Sequence, residues 1–162
     1  MLTKKVLRFA VATACLGAAA GATISLGGAT AASGKDGPLY GVLTGANEVS
    51  PTGQKKAGDP DGKGSASAIY DEGKLCFALT VKNIGEPTGA HIHRGTSRKN
   101  GAVVVPLTPP ADGDPGASSG CVDVAADVAR SILRNPHRFY WNVHTAEYPA
   151  GAIRGQVFAR SK

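Results

Sequence analysis

The chain has 162 residues, with 18 Lys and Arg against 12 Asp and Glu and with 22 glycines and 10 prolines. That composition excludes a coiled coil or a long-helix protein and favours short strands joined by tight turns. Three of the eighteen cationic residues, Lys4, Lys5 and Arg8, precede a mostly apolar run from Phe9 to about Leu26. Ala29-Thr30-Ala31 fits the small-x-small cleavage rule, so residues 1–32 read as a secretory signal peptide cut near Ala31 or Ala32. A retained signal-anchor and, through Cys15, a lipoprotein are the alternatives. No second long apolar stretch follows, so no membrane span is expected after signal removal. Beyond the first eight residues, fifteen cationic side chains face twelve anionic ones. They are scattered along the sequence, which argues against a nucleic-acid partner.

Residues 33–162 suffice for one domain with a single core. "PLYGVLT" predicts a strand over Leu39–Thr44, and "SPTGQKKAGDPDGKG" a polar surface loop. Ser65 to Tyr70 and Lys74 to Lys82 both alternate, with Asp71-Glu72-Gly73 between them, which predicts a hairpin. In its second strand Leu75, Phe77, Leu79 and Val81 share one face and Cys76 the other. Thr88 to Arg94 predicts the next strand. Asn100-Gly101 carries the signal of a type I′ turn ahead of the apolar run Ala102 to Leu107. A second polar loop leads to a short strand over Gly120–Val124. The helix "AADVARSILRNP" follows, near 125–134, with Asp123 as its cap and Val124, Val128, Ile132 and Leu133 as its stripe. "RFYWNVHT" and "GAIRGQVFAR" supply two final strands. About eight short strands with one helix predict an antiparallel β-sandwich or barrel. The two cysteines beyond the signal, Cys76 and Cys121, are expected to form a disulfide in an oxidising compartment.

Chemistry concentrates in "TGAHIHRG". A strand repeats every two residues, so His91 and His93 point to the same face and can chelate a copper or zinc ion. A tight site needs a third ligand. His144, on the strand face that also carries Tyr140 and Asn142, is the best candidate, with Glu147 or Tyr148 as a neighbouring oxygen donor. The competing interpretation is a purely structural polar network of these histidines with Arg94, Asn142, Glu147 and Arg154. His137 is expected to be exposed. The loops "GDPDG" and "ADGDPG" lack the spacing of a dedicated calcium loop and read as solvated turns. No nucleophile elbow, phosphate loop or C-x-x-C motif occurs.

"GAHIHRGTSRKNGAVVVPL" followed by "FYWNVHTAEYPAGAIRGQV", with "LYGVLTGANEVSP" at the front, resembles the chordin-type (CHRD) domain from roughly Leu39 to Arg160. The resemblance implies an extracellular, immunoglobulin-like β-sandwich with no settled biochemical activity. It does not imply growth-factor antagonism, because the cysteine-rich modules beside such domains are missing from this chain. "GAHIHRG" is also similar to the copper-binding strand of copper/zinc superoxide dismutases. That enzyme's two-metal site needs more histidines than the four present, so dismutation is not expected. Two functions remain. One is a non-enzymatic binding or structural module for an extracellular protein or surface ligand. The other is a secreted copper- or zinc-binding protein using His91, His93 and His144.

Overall fold

The computed structural model of the chain describes residues 37–159, so the signal-like segment over residues 1–32 lies outside the described residues. The strands are β1 Leu39–Thr44, β2 Lys63–Asp71, β3 Lys74–Lys82, β4 Pro87–Arg94, β5 Val103–Leu107, β6 Gly116–Asp123, β7 Phe139–Thr145, β8 Ile153–Gln156 and β9 Phe158–Ala159. One α-helix, α1 Ala126–Arg134, connects β6 to β7. All strands pair antiparallel in one continuous order, β5-β4-β7-β8-β1-β2-β3-β6, with β9 added to β1. The two end strands lie beside each other, and Ser118 Oγ donates to the Thr108 carbonyl at 2.8 Å near that seam. The all-β expectation holds, and the single curled sheet gives it a nearly closed, barrel-like form.

Alternation explains the barrel wall. On β3, Leu75, Phe77, Leu79 and Val81 are all buried while the residues between them face outward. Each such side chain contributes about 1.5–3 kcal/mol relative to exposure. The hairpin before β3 closes on Glu72 (φ 44°) and Gly73 (φ 88°), both left-handed, with Asp71 paired to Lys74. This is the two-residue geometry whose twist matches the strands. On β7 the inner residues Phe139, Trp141 and Val143 are fully buried. Trp141 reaches across to β1, donating from Nε1 to the Tyr40 carbonyl at 3.2 Å. A Cβ on Gly41 would lie 2.2 Å from Trp141 Cδ1, so β1 must be bare there for the indole to fit. Gly155 has the same logic on β8, since its Cβ would lie 2.3 Å from the Val42 carbonyl oxygen.

Three local expectations are corrected. Asp123 does not cap α1; it ends β6 and pairs with Lys74 Nζ at 2.7 Å, while the N-cap is Ala125, with no side-chain bond. The helix buries Ala129 and Ile132, with Val128 and Leu133 only partly covered. Strand β6 begins at Gly116, earlier than expected, because β3 pairs with it along its whole length. Asn100-Gly101 does not form a type I′ turn, since neither residue has positive φ. Arg94 N donates to the Ala102 carbonyl, so residues 95–101 form one seven-residue loop instead. Gly101 is needed there for another reason: a Cβ would collide with the Arg94 carbonyl. Cys76 and Cys121 stand directly opposite on β3 and β6 and form the expected disulfide.

Candidate metal centre on the outer face of the barrel

Strand β7 is buried on both faces. Its inner face meets the core, while Tyr140, Asn142 and His144 point outward. On β4 the outward residues are His91 and His93, on β8 Arg154 and Gln156. The register places His91 opposite Asn142, His93 opposite Tyr140 and Gly89 opposite His144, and Arg154 opposite Asn142 on the other side. A polar patch thus crosses three strands. It is covered by the loop of residues 95–101 and by the segment holding Glu48. His93, Asn142, Arg154 and Glu48 are 8% exposed or less.

His91, His93 and His144 converge. Their ring centroids lie 5.1 to 5.8 Å apart, and one ligand nitrogen from each ring falls within 4.8 Å of the others. Gly89 forms the floor beneath two of the rings, since a Cβ there would sit 3.2 Å from His91 Cε1 and 3.8 Å from His144 Cδ2. His93 Nδ1 lies 3.0 Å from the Gly101 carbonyl, and His144 Nδ1 lies 3.1 Å from the Pro149 carbonyl. A carbonyl only accepts, so each ring carries its proton on Nδ1 and donates it, leaving Nε2 with a lone pair. Those two Nε2 atoms and His91 Nδ1 are buried without a hydrogen-bond partner. Native interiors rarely leave such groups unpaired.

Electrostatics favours the neutral rings. Burial, followed by the neighbouring His144 and His93, pushes His91 down to about 4. Burial also lowers His93 and His144, each partly offset by its carbonyl bond. Neutral imidazole is the form that binds a transition ion, and carbonyl-anchored Nδ1–H groups are the usual support of such ligands. A tetrahedral zinc site with bonds near 2 Å holds its nitrogens about 3.3 Å apart. The three nitrogens, which lie within 4.8 Å of one another, are therefore more widely spaced than in a formed site.

The neighbouring half of the patch is organised by Arg154. Its guanidinium lies 3.3 Å over the Tyr140 ring. Nη1 donates to Asn100 Oδ1 at 2.8 Å, and Nη2 to the Thr96 and Lys99 carbonyls at 2.7 and 2.8 Å. Asn100 Nδ2 in turn donates to the Val49 carbonyl at 2.8 Å and the Ser50 carbonyl at 3.1 Å. Tyr140 stacks on His93 with centroids 4.9 Å apart. Glu48 is pushed up to about 7 by burial, against the opposing pull of Arg154. Its Oε1 and the Asn142 Oδ1 are both unpartnered, and both lie within 2.8 Å of the position a Cβ on Gly151 would take.

Of the residues singled out in sequence, His91, His93 and His144 come together, and Asn142 and Arg154 adjoin them. Arg94 turns away, stacking over Phe139 at 4.9 Å and reaching Ser131. Glu147 is exposed and outside the cluster, and Tyr148 is partly buried against the hydrophobic core. Among the described residues the metal-ligating group consists of the three histidines alone. His137 is exposed, as expected. Sequence reasoning missed Glu48, Asn100, Tyr140 and Gln156 as parts of the patch. Only Tyr140 had a signal, through its shared face with His144.

The CHRD domain family model matches residues 39–157, nearly the whole described region. Searches of curated proteins and of solved structures return no significant match. The match takes in all three histidines, the loop above them and the Arg154 strand: the chain belongs to the CHRD domain family.

Proposed function

We propose that the protein is an exported, non-enzymatic binding module that holds a single copper or zinc ion on His91, His93 and His144. The observation that carries this is the set of three buried, unpartnered ring nitrogens from adjacent strands. Three neutral nitrogen ligands suit both ions, and copper(II) binds such sites more tightly than zinc. Three protein ligands leave a coordination position for water or an outside donor. Support for export comes from the signal-like residues 1–32 and from the disulfide of Cys76 with Cys121. A single three-histidine group among the described residues gives no support to a two-metal dismutase.

The test is a thermal melt with and without Cu(II) or Zn(II), in the parent and in a His91→Ala/His93→Ala variant. At a thousandfold excess over the dissociation constant, one bound ion stabilises by about 4 kcal/mol. The parent melt should rise by roughly 10 °C or more for a domain of this size, and the variant should not respond. A parent that ignores both ions would refute the metal assignment and leave the module to act through its surface alone.

A further inference from the structure

Beside the histidine group, on the outer side of the same loop, lies a second feature that the metal reading does not use. Arg94, Gly95, Thr96, Lys99, Asn100 and Arg138 line an open cleft of roughly 290 Å³. Three of the six carry positive charge. No Asp or Glu occurs between Pro87 and Ala111 or between Val128 and Ala146, the segments that supply them. Among the described residues the only ion pair is Lys74 with Asp123, so no carboxylate engages Arg94, Lys99 or Arg138.

The cleft is also polarised by its backbone. Gly95 O accepts from Gln156 Nε2 at 2.9 Å, Thr96 O and Lys99 O accept from Arg154, and Gly101 O accepts from His93. The loop's acceptors are thereby drawn inward onto β4 and β8 and away from the cleft. The cations are braced as well. Arg94 is held over the Phe139 ring at 4.9 Å and reaches Ser131 Oγ at 3.4 Å. The backbone of Arg138 is fixed to the loop, because Gly95 N donates to its carbonyl at 2.7 Å. The braced Arg94 guanidinium loses little freedom on gripping a second group, the exposed Arg138 side chain springs from a fixed backbone, and their forked donors match the edge of a tetrahedral oxyanion.

We propose that this cleft is a binding site for a dianionic tetrahedral group, a phosphate or sulfate, gripped by Arg94 and Arg138 with Lys99 at the rim. Arg154 and Gln156 act as positioning residues, because they turn the loop's carbonyls away from the ligand. None of the residues that grip the anion is one of the three histidines.

The test is an amide chemical-shift titration of the purified, chelator-treated protein with inorganic phosphate, sulfate and acetate at fixed ionic strength. Saturable shifts should centre on Gly95–Asn100, with phosphate and sulfate at least fivefold tighter than acetate. Arg138→Ala should weaken phosphate at least tenfold without changing the fold, since its side chain is exposed. Arg94→Lys keeps the charge but loses the fork, and should weaken phosphate severalfold. Dextran sulfate, compared per ester with free sulfate, identifies the source. A tighter polymer assigns a polymer-borne ester, and equal affinity assigns the free ion. Shifts that do not saturate, acetate matching phosphate, or an Arg138→Ala variant that binds like the parent would each overturn the proposal.

Discussion

Two outer faces of the same barrel are built on opposite principles. Across β1, β2 and β3 the outward residues include Val42, Ser65, Ser67, Ile69, Ala78 and Thr80, small or aliphatic and all but Ser67 exposed, with Tyr40 stacked on Phe158 and charged residues at the strand ends. Their one polar link is Ser65 Oγ with Thr80 Oγ1 at 2.8 Å, and the disulfide staples this side at its edge. Across β4, β7 and β8 the outward residues are histidine, tyrosine, asparagine, arginine and glutamine, and loops cover them. Covering such groups costs desolvation unless each finds a partner. The first face leaves its outward residues largely uncovered. The lid over the second is explained by what it encloses, three histidines held neutral beside a fixed arginine.

That contrast can be broken most sharply at Arg154. It is 1% exposed, and Arg154→Ala should cost about 3–5 kcal/mol, because Asn100 Oδ1 and the Thr96 and Lys99 carbonyls all lose their charged donor. The loss should release residues 95–101, read as faster amide exchange there. Ser65→Ala on the open face should stay within about 0.5 kcal/mol. Equal losses at the two positions would erase the distinction.

The disulfide sharpens it from the other side. Cys76 and Cys121 are 45 residues apart in sequence, and replacing both with alanine should lower stability by about 4 kcal/mol in the chain-entropy model. Zinc or copper should still raise the melting temperature of that variant, because the staple lies on the face without the histidines. A variant that no longer responds to either ion would show that the two faces are not separable.

The smallest effect concerns Glu48. Its carboxyl is raised from 4.5 to about 7 by burial, so the folded state binds the extra proton between those values. Stability should therefore fall as pH rises from about 4.5 to about 7 and level off above. Glu48→Gln should flatten that slope and gain on the order of 2 kcal/mol at pH 8. The amide can also donate toward Asn142. Denaturant melts at pH 5 and pH 8 decide it, and an unchanged slope would mean that Glu48 is charged when buried.

The wall of the barrel was legible because strand alternation is a local rule. Leu75 to Val81 announce their face, and the H-x-H pair announces that both rings share another. His144 was reachable by the same rule applied to "YWNVHT". Asn100 misled because its neighbour glycine carries a turn signal, whereas the structure uses Asn100 to tie the loop to Val49 and Ser50, about fifty residues away. Glu48 lay inside a family-like stretch but carried no signal of burial. A carboxylate in a polar turn looks solvated until another segment folds over it, and no short window of sequence records that event. Arg94 and Arg154 look alike in sequence. Only the register separates the one that turns to α1 from the one that lies under the loop.

Trp141 filling the space beside Gly41 has a consequence for how this scaffold can acquire new chemistry. Its widest side chain is wedged between β7 and β1, and a bare position on β1 is required for that wedge to seat. A change at either position disturbs the wall itself. The segment between β4 and β5 lies outside that wall, so its length and lettering are where new chemistry can be written over the histidines.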